Sequence, residues 1–317
     1  MSDATTTDAQ VRPGRGWGTA IALAFATLLL WALQPALLIF VPLTVLLLAL
    51  PPRRPGLVVF AGLLLWFVFA GDPASALWYV ERGWALLLGA WFVTFAVLWP
   101  GRSFIARALS AVTATTLSAG VLLLVRRSGF ARVDGAVTEQ MRAGAAETLT
   151  AWSDALGFER VSARLSEAVY AAADLQALVF PALLALASLA GLAVAWFAFQ
   201  RVAHRDVTPL RPLREFRFPD DLVWVLIAGI ALLLLPLGAV AERAGTNLLA
   251  FMAALYALRG LAVLLVVAGA PGPIGLLVGG LLLLFLYPLV MATTVLVGVT
   301  DTWLDIRARR AAVPPST

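Results

Sequence analysis

Arg259 is the residue of this 317-residue chain that most invites a chemical reading. It lies inside an unbroken apolar run, 247–269, twelve residues after Asn247. An arginine at mid-helix costs roughly 2.5–3.5 kcal/mol to place in lipid, so it must face protein or water and find acceptors. Two roles are open to it: contact with a substrate or ion, and a structural polar clamp. The next apolar run offers acceptors. Ala270-Pro271-Gly272-Pro273 is short enough to make the two runs antiparallel neighbours. Arg259 lies 11 residues before Ala270 and Leu284 lies 11 after Pro273. At about 1.5 Å per residue both sit roughly 16 Å from the turn. Pro288 has no N–H, which frees the Leu284 carbonyl, and Tyr287 brings a hydroxyl to nearly the same depth. A guanidinium has five donors to satisfy. The spacing therefore predicts that Arg259 points into the bundle and bonds the Leu284 carbonyl, the Tyr287 hydroxyl or both, away from Asp301.

Other polar groups are few. The run 103–125 holds Ser110, Thr113, Thr115, Thr116 and Ser118. Thr113, Thr116 and Gly120 share one helix face, suited to packing another helix or to lining a polar cavity. Near the C-terminus, Gly298-Val299-Thr300-Asp301-Thr302-Trp303-Leu304-Asp305-Ile306-Arg307 puts Asp301 and Asp305 on one helical face. Arg309 follows Asp305 by four residues, the favourable order for an ion pair, and Trp303 suits a membrane interface. A helix leaving the bilayer with its charges in water explains these residues as well as a site does. There is no Cys and one His, His204. Disulfides, thiolate nucleophiles, histidine triads and His/Cys metal sites are excluded together. The acids lie almost entirely in loops and at the ends of apolar runs, so no enzyme and no cofactor is expected.

The elements that position these residues follow from composition. The chain is 62% hydrophobic and 13% charged, against about 45–50% and about 25% for a soluble domain. Most of its surface must face lipid, and the unbroken Leu-, Ala- and Val-rich runs indicate helices rather than strands. The expected fold is all-α, a polytopic transmembrane helix bundle. Apolar runs cover 17–33, 36–50, 56–70, 83–99, 103–125, 176–200, 221–240, 247–269 and 273–299. The first two are short and separated only by Gln34-Pro35, and the last carries Pro288 in its interior, so eight or nine spans are expected. This organisation reads as a polar tail (1–16), an N-terminal transmembrane half (17–125), amphipathic surface helices (126–175), a C-terminal transmembrane half (176–300) and a charged tail (301–317). A cleaved signal peptide is not expected.

Two non-spanning helices are expected. Asp72 and Pro73 are a natural cap and first-turn residue for a surface helix running through Trp78 and Arg82. In 133–170, Val137, Met141, Leu149, Trp152, Leu156, Val161, Leu165 and Val169 recur at helical spacings among charges, with a break near Gly157. That region should lie on the membrane face, as a hairpin joining two halves or as a lid.

All 23 basic residues are Arg, and the small net charge of +5 is placed in loops. Arg12 and Arg15, Arg53 and Arg54, Arg102, and the dense 201–217 segment fall on one side if each of the first six runs crosses. That side, with the N-terminus, should be cytoplasmic. Eight crossings return Arg307, Arg309 and Arg310 to it; nine do not. No nucleic-acid binding is expected.

With these residues in view, the chain resembles the YybS-like family of predicted bacterial membrane proteins. The resemblance rests on Gly298, Asp301, Thr302, Trp303, Asp305 and Arg307, on Phe218-Pro219 before a span, and on Arg259-Gly260-Leu261-Ala262-Val263. The N-terminal half is similar in style to the substrate-binding subunits of energy-coupling factor transporters. That resemblance implies a membrane protein partner at small-residue pairs such as Ala20/Ala24 and Ala22/Ala26. The extra C-terminal spans depart from those six-helix subunits. The leading expectation is a solute-binding or transport-related protein of the bacterial inner membrane, with the lipid bilayer and a small-molecule solute as partners. The alternative is a non-transporting scaffold. A cavity reached by Arg259 and the hydroxyls of 103–125 would favour the first; a solid core with a broad exposed groove would favour the second.

Overall fold

A computed structural model describes residues 35–50, 55–69, 77–125, 129–156, 162–202, 213–269 and 272–311. The N-terminal residues, with Ala20, Ala22, Ala24 and Ala26, lie outside them, as do Asp72 and Pro73. The described residues are helical apart from short connections. In chain order the helices are α1 (Pro35–Ala49), α2 (Pro55–Phe69), α3 (Trp78–Leu98), α4 (Phe104–Val125), α5 (Gly129–Leu156), α6 (Ala163–Leu178) and α7 (Phe180–Val202). Two single turns, Leu213–Glu215 and Asp220–Leu222, lead into α8 (Val223–Leu234). Then come α9 (Ala239–Val267), α10 (Pro273–Phe285), α11 (Tyr287–Leu304) and α12 (Ile306–Ala311).

Four of these, α3, α4, α7 and α9, are long and apolar enough to cross a membrane, and shorter apolar helices cover Ala36–Ala49 and Pro55–Trp66. Large apolar side chains cover the outside: Trp66, Leu124, Leu234, Ile274 and Phe285 are all strongly exposed. An apolar surface of this extent belongs against acyl chains, where each helix satisfies its backbone groups within itself.

Two helices organise the packing. α1 lies against α2, α3 and α7, and α9 lies against α8, α11 and α7. Glycines permit the closest approaches. A β-carbon at Gly191 of α7 would sit 2.7 Å from the Leu38 carbonyl oxygen of α1. Aromatic rings fill the junction of α3, α4 and α7, where Phe92 meets Phe104 and Trp196 edge-on.

Several expectations are corrected. Trp78 and Arg82 do not belong to a separate surface helix; they form the first turns of α3, which runs through Gly83 into the apolar run because one glycine weakens a helix without ending it. The run 273–299, where Pro288 was expected to kink the axis, is interrupted more sharply than a kink. It breaks at Leu286, beside Pro288, into α10 and α11. The region 133–170 does form amphipathic helices. α5 and α6 make a hairpin tied by a bidentate pair from Arg142 to Asp174, with Nε–Oδ1 at 2.8 Å and NH2–Oδ2 at 3.1 Å. Of its expected apolar face, Val137 and Leu149 are buried while Trp152 and Leu165 are exposed.

Candidate functional site

Among the described residues, two places bring several polar groups together in buried or half-buried surroundings. The first is the C-terminal motif. α9 and α11 meet at Gly260 and Gly298 with almost nothing between their backbones. A β-carbon at Gly260 would lie 1.8 Å from the Thr294 carbonyl oxygen, and one at Gly298 2.0 Å from that of Tyr256. Only glycine permits this contact. Arg259 precedes one glycine by one residue and Asp301 follows the other by three, so the seam brings them together. Both side chains are 0% exposed. Arg259 Nε donates to Asp301 Oδ2 at 3.0 Å and its NH2 to the Asp301 carbonyl at 3.3 Å. Its NH1 donates to Asp220 Oδ1 at 2.6 Å. The Phe218 ring lies 5.4 Å from the guanidinium carbon.

Arg307 completes the network. Its NH2 donates to Asp301 Oδ2 at 2.9 Å, and its NH1 donates to the Phe216 carbonyl at 2.9 Å. Asp305 takes a left-handed backbone (φ 42°) at the end of α11 and pairs with Arg217 at 2.8 Å. That bond holds the Arg217 guanidinium further above its already high ordinary value. Three arginines thus meet three aspartates. The arrangement locks the lead-in to α8, the centre of α9 and the end of α11.

The expected partners of Arg259 are therefore wrong. It bonds neither the Leu284 carbonyl nor Tyr287, whose side chain is exposed. The physical cause is the break at Leu286, after which α11, drawn in by the glycine seam, becomes the neighbour of α9. Asp305 pairs with Arg217 rather than Arg309. Thr302 lies beside the Tyr256 hydroxyl without a hydrogen bond of normal geometry, and Trp303 is exposed. Asp220 was the missed member; an acid directly after Phe218-Pro219, at the head of an apolar run, was its signal.

Thr113 and Thr116 do not join Arg259. Both are exposed on α4, and Gly120 has open space around it. The inward hydroxyls are Thr115, buried against its own helix, and Ser118, which accepts from Trp91 Nε1 at 3.1 Å.

The second place is a pocket between α1, α3 and α7, roofed by α5. Leu37, Leu38, Leu77, Val80, Trp84, Phe180 and Leu184 form its apolar walls, with Glu81 in one wall and Gln140 and Met141 in the roof. Its cavity of about 30 Å³ has room for a water or two. Trp84 is fixed by its indole N–H, which donates to Ser188 Oγ at 2.9 Å. The roof rests on a small cluster of Val137 and Met141 with Leu77, Ala177 and Phe180. It is held at its far side by Arg243 of α9, which pairs with Asp134 and lies over Phe130. Asn247 binds the α6–α7 junction, accepting from Ala182 N at 3.0 Å and donating to the Leu178 carbonyl at 2.9 Å. Sequence reading did not single out Glu81, because one acid in the first turn of a helix is ordinary.

A family model described as "Predicted membrane protein (DUF2232)" matches residues 19–302. The chain belongs to this family, in agreement with the YybS-like resemblance of its C-terminal motif. No curated protein and no solved structure matches the chain.

Proposed function

We propose that this DUF2232 member is a solute-binding, transport-related protein of the bacterial inner membrane, and that the pocket under α5 is its solute site. One observation carries the reading: four helices enclose an apolar pocket that has a carboxylate in its wall and an amphipathic helix as its roof. Sites for small molecules have this form, mostly apolar with a few placed polar groups. The pocket lies at the starts of α3 and α7, while Arg102 follows α3 and Arg201 ends α7. With the arginines on the cytoplasmic side, the pocket faces outward. The present cavity has room only for a water or two, so a solute enters when the roof lifts.

The test is the small-molecule content of purified protein. Wild type should carry a solute, identified by mass spectrometry, that a Leu184→Trp variant filling the pocket loses. Equal content in both would overturn the assignment. The scaffold reading draws on a different observation, the open face of α4 with Thr113, Thr116 and Gly120 and a shallow groove at Leu117, Ser118, Val121 and Leu122. It calls for a partner helix that cross-links to this face.

A further inference from the structure

We propose that Glu81 makes the pocket selective for a cation, specifically a small organic ammonium with an apolar body. The inference rests on the pocket reading and adds the ligand's class. Glu81 sits half-buried in the first turn of α3, in a wall that is otherwise apolar. Among the described residues its carboxylate has no ion pair and no hydrogen bond. The arginine beside it in sequence acts on its charge only through space and forms no ion pair with it. Arg82 lies 4.1 Å over the Trp78 ring and donates to the Trp78 carbonyl at 3.4 Å. A carboxylate withdrawn from water is costly unless a positive group or a donor meets it. Elsewhere the chain meets that need internally: Asp301 has two arginines and Asp134 has Arg243. Glu81 is left facing the cavity.

The donor set defines what would fit. One carboxylate and one amide, Gln140, do not make a metal site, and no group of three possible ligands occurs among the described residues. A dication would in any case keep most of its water, which the Leu37, Leu38, Leu184 and Phe180 walls cannot replace. An ammonium needs a single counter-charge, and those walls suit an apolar body attached to it. Trp84 supplies an aromatic wall of the kind that also favours cations.

The chain has no cysteine, so a single thiol can report on the pocket. Met141→Cys in the roof would be treated with three methanethiosulfonates of similar size, carrying an ammonium, a hydroxyl or a sulfonate. Rates would be normalised to Thr148→Cys on the exposed face of α5. The ammonium reagent should react at least about tenfold faster than the hydroxyl one, and the sulfonate slower still, as expected near one unscreened carboxylate. Glu81→Gln should bring the three rates within about twofold. Equal rates with Glu81 in place would overturn the cation assignment and leave the pocket standing. No labelling by any reagent would overturn the pocket itself. Gln140→Cys at the mouth repeats the measurement if Met141→Cys does not fold.

Discussion

Replacing Asp301 with asparagine removes the centre of the C-terminal network. Its Oδ2 receives Arg259 at 3.0 Å and Arg307 at 2.9 Å. With charge centres about 4 Å apart and an effective dielectric near 20, each pair is worth about 4 kcal/mol before desolvation. Breaking a buried pair from one side costs about 3–5 kcal/mol, because the surviving charge stays enclosed. Arg307 is 11% exposed and can turn towards solvent, but Arg259 at 0% cannot. Arg259 keeps Asp220, whose side chain is 55% exposed and therefore well screened. The asparagine amide oxygen can still accept one bond. These considerations place the loss at the lower end, about 3 kcal/mol.

The assay is unfolding of the purified protein in detergent, with the midpoint lowered by roughly 6–12 °C at about 2–4 °C per kcal/mol. Arg259→Met should fall by a similar amount. The double variant Arg259→Met/Asp301→Leu should return to within about 1 kcal/mol of wild type, since apolar replacement of both partners removes the desolvation penalty with the attraction. A loss below about 1 kcal/mol for Asp301→Asn, or a double variant as poor as the sum of the singles, would refute this account of the network.

Gly260→Ala should cost at least about 3 kcal/mol, because its β-carbon meets the backbone of Thr294, which cannot yield as a side chain can. Gly120→Ala, with open space around it, should be neutral or gain up to about 1 kcal/mol of helix propensity; thermal unfolding of the two variants compares them directly. The bond from Arg142 holds the Asp174 carboxyl below its usual value. Its contribution to the α5–α6 hairpin is therefore complete above about pH 4 and disappears as the pH falls through the lower folded-state value. Hydrogen exchange in α5 and α6, corrected for intrinsic rates, should show that loss in wild type and not in Arg142→Gln. A cysteine replacing Arg214 should resist an impermeant thiol reagent in intact cells; ready labelling would reverse the orientation of the 213–222 segment.

How far the sequence could be read depended on the kind of information each residue needed. That Arg259 must turn inward followed from its depth in an apolar run, a one-dimensional property, and it is fully enclosed. Its partners required knowing which helix lies beside α9. The reading assumed that a short turn makes neighbours of consecutive runs along their whole length. Here the break at Leu286 leaves α10 short, and Gly260 and Gly298 bring α11 into contact instead. The motif Gly298, Asp301, Asp305 and Arg307 was visible as a pattern, yet its use depends on Asp220 and Arg217, some eighty residues earlier. Thr113 and Thr116 share a face in sequence, but which face α4 presents to α3 is set by packing, and it is the one carrying Ser118. Glu81 gave no signal at all, because its interest lies in what its neighbours fail to supply.

The glycine seam also explains why charge is placed where it costs most. Two helices in contact through bare backbone have few side-chain knobs to hold their register. A slip of one turn, about 5.4 Å, would preserve most apolar contact with lipid and protein alike. It would also strand Arg259 and Asp301 in an apolar interior, at about 3–5 kcal/mol for each uncompensated charge. The network therefore contributes register more than net stability. It also fixes the 213–222 segment and α12 to that register through Asp220, Arg217 and Arg307. A charge whose work is structural has its partners built in, as Asp301 has two. By the same argument Glu81, set in an apolar wall with no ion pair among the described residues, faces the place where a partner from outside the chain belongs.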